Sequence, residues 1–169
     1  MDLQELRIFA ERLMRQEGLS GRRLARNWTF GFDRAKRRGG YCNYTRRHIS
    51  VSRILMALYD DELAKDTVIH EVAHALAGAK AGHGPRWQAH ARRLGGSAAV
   101  RLPADAPEPP PTWVGRCACG LVRNYHRRPA GGLMCPRCVE RGFNPQLTWQ
   151  HTKSSAIIIT GPPPPTGGR

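Results

Sequence analysis

A chain of 169 residues has room for one compact domain and a small appendage, which excludes a large multidomain assembly. The hydrophobic fraction of 40% and charged fraction of 24% are those of a globular protein, but 27 Lys and Arg against 13 Asp and Glu leave a formal net charge of +14. That excess calls for a polyanionic partner, with a nucleic-acid surface as the leading expectation and plain solubility as the alternative.

The N-terminus carries acids early and has no signal-length apolar core. Five cysteines in such a chain point to metal binding in a reducing compartment rather than to a disulfide framework. The longest apolar run, residues 156–159, falls far short of the roughly 20 residues a membrane span needs. A cytoplasmic monomer with no membrane association is expected, nucleoid-associated or nuclear if it is bound to DNA.

In chain order, Leu3, Leu6, Phe9, Ala10, Leu13 and Met14 recur at helical spacing between Asp2 and Glu17. Asp2 and Glu5 stand in capping-box positions and Gly18 lies just past the end. Residues 28–32, 41–44 and 48–51 read as short strands of a small antiparallel sheet, joined by basic turns that contain Arg34, Lys36, Arg37 and Arg38. Cys42 reads as a buried strand residue with no assigned chemistry. A short helix after Ser52 is expected to bury Ile54, Leu55 and Leu58. A stronger helix runs from about Asp61 to Ala77 and stops at Gly78. Pro85 opens another, ending near Leu94, with Trp87 turned to the core. Residues 98–102 read as one further strand. Residues 103–111, P-A-D-A-P-E-P-P-P, read as a semi-rigid linker. The expected organisation is therefore a domain over 1–103, a linker over 104–111, a second unit over 112–152 and a largely disordered tail over 153–169.

The strongest predicted helix contains His70-Glu71-Val72-Ala73-His74. Histidines at i and i+4 project from one face, one turn apart, and two imidazoles so placed can share one Zn²⁺. Glu71 then stands where a general base acting on water must stand. Two histidines and a glutamate on an apolar-patterned helix are costly to bury without a metal or polar partner. A catalytic zinc needs a third ligand. The extended motif with a histidine at position 80 is ruled out by Ala77 and Lys80, and the next acids, Asp105 and Glu108, fall at or inside the linker. His83, just before the Gly84-Pro85 helix entry, is the best remaining candidate, with His90 and His48 as weaker competitors.

A second constellation follows in Cys117-x-Cys119 and Cys135-x-x-Cys138, two close pairs separated by a hairpin's length. Four thiolates satisfy a tetrahedral zinc completely, so this site is expected to be structural, and a unit of about 40 residues would be marginal without it. Arg116, Arg123, Arg127, Arg128 and Arg137, with Tyr125 and Trp113 nearby, make this unit the most basic and aromatic candidate for gripping nucleic acid, with Arg37 and Arg38 as a further contact.

The segment H-E-V-A-H-A-L-A-G-A-K-A-G-H-G-P-R-W, with the upstream Trp28 strand, the G-G-Y-C turn and the I-S-V-S segment, resembles the SprT-like zinc metalloproteases, the Spartan-related family. The resemblance covers roughly residues 1–150. It implies an α+β fold: a compact zincin-like protease domain with an N-terminal helix, a small sheet and an active-site helix, followed by a small β zinc ribbon. It also implies His70, His74 and His83 as ligands of a catalytic zinc, Glu71 as base, and protein substrates bound or crosslinked to DNA. The oxyanion-stabilising group stays open, with Tyr41, Tyr44 and the arginines as possibilities. The rival readings are a nucleic-acid-binding protein whose first zinc site is closed by a fourth ligand, and a peptidase dedicated to one regulator.

Overall fold

Two units make up the chain, Met1–Pro109 and Pro110–Arg169, and the computed structural model describes residues 2–21, 27–129, 131–153 and 157–158. The fold is mixed α and β. Helix α1, Leu3–Gln16, begins where the sequence places its cap. The Asp2 carboxylate accepts from the backbone N–H of Gln4 and Glu5 at 2.6 and 2.8 Å, and the Glu5 carboxylate accepts from the Asp2 N–H at 3.2 Å. Gly18, at φ +67°, takes the left-handed conformation that ends the helix. The inward stripe is Leu6, Ala10 and Met14.

Strands β1 (Thr29–Asp33), β2 (Gly40–Asn43) and β3 (His48–Ser52) form a sheet in the order β1-β3-β2. The expectation of a wholly antiparallel sheet needs correction. β2 and β3 form an antiparallel hairpin with Cys42 opposite Ile49, but β1 runs parallel to β3 with Phe30 opposite Ile49. Local alternation identifies strands and hairpin neighbours. It carries no information about which side of the hairpin the first strand joins, and here the connection over residues 34–39 carries the chain past β3. β2 is thereby left as an edge strand.

Helix α2, Arg53–Met56, is a single turn capped by the Ser52 hydroxyl. It buries Leu55 and Met56, whereas Leu58, expected in the core, is exposed and Tyr59 is buried instead. The helical spacing stops at the Ala57 cap, so the residues after it follow a different phase. Helix α3, Asp61–Ala77, is capped by Asp60 and ends at Gly78, φ +87°. Helix α4, Pro85–Arg93, follows after a seven-residue loop and buries Trp87 and Ala91. The core gathers one face of α1, the sheet, α2, and Ala64, Val68 and Val72 of α3.

Residues 98–102 are not a strand. Ala98 adopts φ +56°, and Val100 and Leu102 are exposed, because no neighbouring strand offers this segment a ladder. Instead, residues 99–103 and 105–107 line one side of a cleft, and Ala106 packs against the core.

In the second unit, β4 (Trp113–Arg116), β5 (Val122–Tyr125), β6 (Thr148–His151) and β7 (Ile157–Ile158) form a four-stranded sheet in the order β5-β4-β6-β7, with the short helix α5, Pro136–Val139. Its core is Trp113, Cys135, Cys138, Leu147 and Trp149. Gly115 lets the Trp149 ring lie directly on β4, since a Cβ there would stand 2.6 Å from the indole. Within the tail expected to be disordered, residues 154–156 and 159–169 lie outside the described residues. No helix of the described residues is long and apolar enough to cross a membrane.

Candidate metal centres

α3 presents His70 and His74 one turn apart, and the loop after Gly78 brings His83 back toward them. The three Nε2 atoms form a small triangle: 3.3 Å between His70 and His74, 3.0 Å between His74 and His83, and 3.1 Å between His83 and His70. Three ring nitrogens cannot satisfy one another by hydrogen bonding. With one N–H shared by two lone pairs, the third edge of the triangle is lone pair against lone pair. A cation resolves this, and nitrogens bound to one tetrahedral ion at roughly 2.0–2.1 Å stand about 3.3 Å apart. The donor set therefore fits a metal ion such as zinc. Burial lowers the pKa of His70 and brings His74 to about 4, with the neighbouring rings adding to both shifts. Both of these rings are thus held neutral, the form that offers a lone pair.

The main chain of each histidine is anchored by a side chain. Trp87 Nε1 donates to the His70 carbonyl at 3.2 Å, the Tyr44 hydroxyl to the His74 carbonyl at 3.0 Å, and Gln88 Nε2 to the His83 carbonyl at 3.2 Å. The fully buried Trp87 ring also packs against all three imidazoles, with centroids 4.7, 5.4 and 4.6 Å away. Of these anchors, only the core role of Trp87 is expected from the sequence. Tyr44, a possible oxyanion group by sequence, donates to the His74 carbonyl, and Tyr41 lies under the Arg38 guanidinium, 4.6 Å from its ring centroid.

Glu71 is buried at 6% exposure and pressed against the edge strand. A Cβ on Gly40 would stand 2.8 Å from Glu71 Cγ and 2.9 Å from its Oε1, so only glycine lets the carboxylate occupy this place. Burial pushes the Glu71 carboxyl up to about 8, and the charge of Arg38 acts in the opposite direction. His70 and Glu71 both line a cleft of about 1030 Å³ that runs between Gly39-Gly40, α3 and residues 94–107. Cys42 on β2 is half-buried, with its thiol pushed up to about 12 by burial and by Glu71. Among the weaker histidine candidates, His48 Nδ1 pairs with the Thr29 hydroxyl at 2.8 Å and His90 lies in the last turn of α4; neither joins the triad.

In the second unit, Cys117, Cys119, Cys135 and Cys138 converge, with Sγ atoms 3.8 Å apart for 117 and 138 and 3.5 Å apart for 119 and 135. None is in a disulfide. Sulfurs around one tetrahedral ion at about 2.3 Å are separated by a similar distance, about 3.8 Å. Gly120, at φ +85°, closes the turn after the first pair, and Cys135 caps α5. The Leu121 backbone, chiefly, lowers Cys119 to about 7, while burial raises Cys138 to about 12. Four sulfurs this close ionise together only around a cation. Of the arginines expected at nucleic acid, Arg37, Arg38, Arg116, Arg123, Arg127, Arg128 and Arg137 are all exposed. Arg38 is additionally paired to Asp33 at 2.9 Å.

These features, two histidines on a helix joined by a third from the loop after it, with His70 and a buried glutamate lining a cleft, are those of a metallopeptidase-like domain. The chain belongs to the SprT-like family, whose model matches residues 4–108. Neither a curated protein nor a solved structure matches it.

Proposed function

We propose that the chain is a zinc-dependent endopeptidase of the H-E-x-x-H type that acts on proteins bound or crosslinked to DNA, with one catalytic and one structural zinc. The observation that supports it is the donor count. Among the described residues three nitrogens converge beside Glu71 with no fourth His, Cys, Asp or Glu, so a tetrahedral vertex is left for substrate or water. A fourth protein ligand would have favoured the non-catalytic reading. When bound, zinc supplies Lewis acidity toward a peptide carbonyl and an attacking water.

The chain's own residues do the rest. His70, His74 and His83 enter as neutral donors. A Glu71 carboxylate oxygen takes a proton from the attacking water and returns it to the departing amine nitrogen. Glu71 must be ionised to do so. Arg38 and a cation held by the triad both favour the charged form, against the burial that lifts its pKa. The cleft between β2 and residues 94–107 offers room for an extended peptide. The arginines of the second unit, Arg116, Arg123, Arg127, Arg128 and Arg137, supply the charge that would hold the enzyme on DNA.

Glu71→Gln separates the parts of this reading. Cleavage of a DNA-binding protein, and of the chain itself, is followed on a gel with and without DNA. Loss of about 10²–10⁴-fold in rate at unchanged metal content is expected for the variant. Equal cleavage by both proteins removes Glu71 from the chemistry. Wild-type activity indifferent to DNA and to ribbon arginine substitutions removes the DNA assignment alone.

A further inference from the structure

Residues 99–103 form one side of the cleft that His70 and Glu71 line, and they are tied down at both ends. At the near end, Asp66 of α3 accepts from the Ser97 backbone N–H at 2.8 Å and from the Ser97 hydroxyl at 2.7 Å, and that hydroxyl accepts from the Ala99 N–H at 3.1 Å. Ala98 between them is in the left-handed region at φ +56°, which a non-glycine residue keeps only where its surroundings enforce it. At the far end, Ala106 packs against the core, and its N–H donates to the Pro103 carbonyl at 3.1 Å. Between the two ties, Val100 and Leu102 stay 49% and 37% exposed. Among the described residues of the first unit four large apolar side chains are exposed, Ile8, Leu58, Val100 and Leu102, and the last two share this cleft.

Their surroundings are apolar and close to Glu71. The Thr67 hydroxyl donates to the Leu63 carbonyl at 2.8 Å, and the Thr67 methyl group lies toward Gly39. A Cβ on Gly39 would stand 3.0 Å from Thr67 Cγ2 and 3.7 Å from Leu102 Cδ1, so the wall, the start of the edge strand and α3 meet here around a missing side chain. The next residue, Gly40, makes the corresponding approach to Glu71. Thr67 precedes Glu71 by one helical turn, roughly 6 Å along the axis, whereas an extended peptide advances about 3.3 Å per residue. The apolar patch is therefore one or two residues of bound chain away from the carboxylate.

We propose that Val100 and Leu102, with the Thr67 methyl group, form an apolar subsite for an aliphatic side chain of the peptide held in the cleft, one or two residues from the bond that is cut. The proposal rests on the peptidase reading of the site. A wall fixed at both ends cannot fold these side chains into the core, so burying them falls to the ligand that enters the cleft.

The test is the cleavage of a random-sequence peptide library by the zinc-loaded full chain, read by mass spectrometry. Leu, Ile, Val or Met is expected to be enriched about 10-fold or more at one position within two residues of the cut. Leu102→Ser should remove most of that enrichment and Val100→Ser part of it, with circular dichroism and metal content unchanged, since both positions are exposed. Leu102→Asp should turn the preference at that position toward Lys and Arg. Binding is read apart from turnover in Glu71→Gln, by fluorescence anisotropy of a labelled peptide carrying the best-cut sequence. Replacing its aliphatic residue by Ser should weaken binding by about 10-fold, and the difference should vanish when Leu102→Ser is added. Cleavage by wild type with no aliphatic preference, or a preference that survives both serine substitutions, overturns the proposal and leaves the peptidase reading standing. A wild-type chain that cuts no peptide of the library overturns both.

Discussion

The two candidate metal sites differ in what holds them open. The histidine triad stands in a unit with an extensive core of its own, built from α1, the sheet and α3, and its three rings are anchored through their main chain. The cysteine cluster is itself a large part of its unit's core, where Cys135 and Cys138 are packed with Trp113, Leu147 and Trp149. One site is placed by a fold that exists without it, whereas the other is a substantial part of what the fold is made of. Donor number follows the same division: three nitrogens beside a cleft leave a vertex, and four sulfurs leave none.

Metal removal is the harshest way to break this comparison. Chelation, or Cys135→Ser, should unfold the second unit and leave the first folded, since metal binding in such small units is worth on the order of 10 kcal/mol of folding free energy. Hydrogen exchange followed by peptide mapping reads the two units separately. Protection retained over residues 113–151 after chelation would remove the structural role given to the cysteines.

A finer probe is Gly40→Ala, which leaves every proposed ligand in place and pushes a methyl group into Glu71 and, equally closely, against the Ser50 carbonyl of the neighbouring strand. Overpacking of this kind costs about 1–3 kcal/mol, and displacement of the base by about an ångström lowers cleavage by roughly 10²-fold. Metal content should not change. Denaturant unfolding and rate measured on the same sample would reveal whether the carboxylate tolerates the methyl group, in which case both values stay at wild type.

The smallest expected effect concerns the pair between α1 and α4. Arg93 grips Glu17 through both guanidinium nitrogens, one contact measuring 3.0 Å. The hydrogen bond from Arg93, opposed by desolvation and aided to a lesser degree by the charges of Arg93 and His90, holds the Glu17 carboxyl below its ordinary 4.5. A folded-state value below the unfolded one stabilises the protein above pH 4.5, and that contribution is lost as pH falls through the folded value. Glu17→Gln should therefore be slightly less stable than wild type near pH 7, with the gap closing at acid pH as Glu17 protonates in the folded state, and narrowed by salt. Denaturant midpoints that differ by the same amount at both pH values would assign the difference to packing instead.

How much of this was legible in the sequence depends on the range of the interaction. The caps were legible because they are local: Asp2 with Glu5, and Gly78 after Ala77, fix their helix ends within a few residues. So was the grouping of His70 with His74, one helical turn apart. His83 could be reached only by eliminating alternatives and by resemblance, and the geometry brings it to the triad. The parallel pairing of β1 with β3 was not legible, because the strand pattern is the same for either placement. Residues 98–102 differ for a related reason: small and apolar residues suggest a strand, but the segment finds no strand to pair with and is tied just before it, at Ser97, to Asp66 some thirty residues earlier in the chain. Tyr44 and Gln88 carry no motif at all. They act on backbone carbonyls, which every residue has.

Those three carbonyl anchors bear on how a metal ion would be loaded. Since Trp87, Tyr44 and Gln88 grip the histidines through main-chain oxygens, the backbone that carries each imidazole is held by the protein itself, and an ion that binds as proposed would require little further ordering of the chain. The first unit would then take up its metal after folding, without passing through a denatured form.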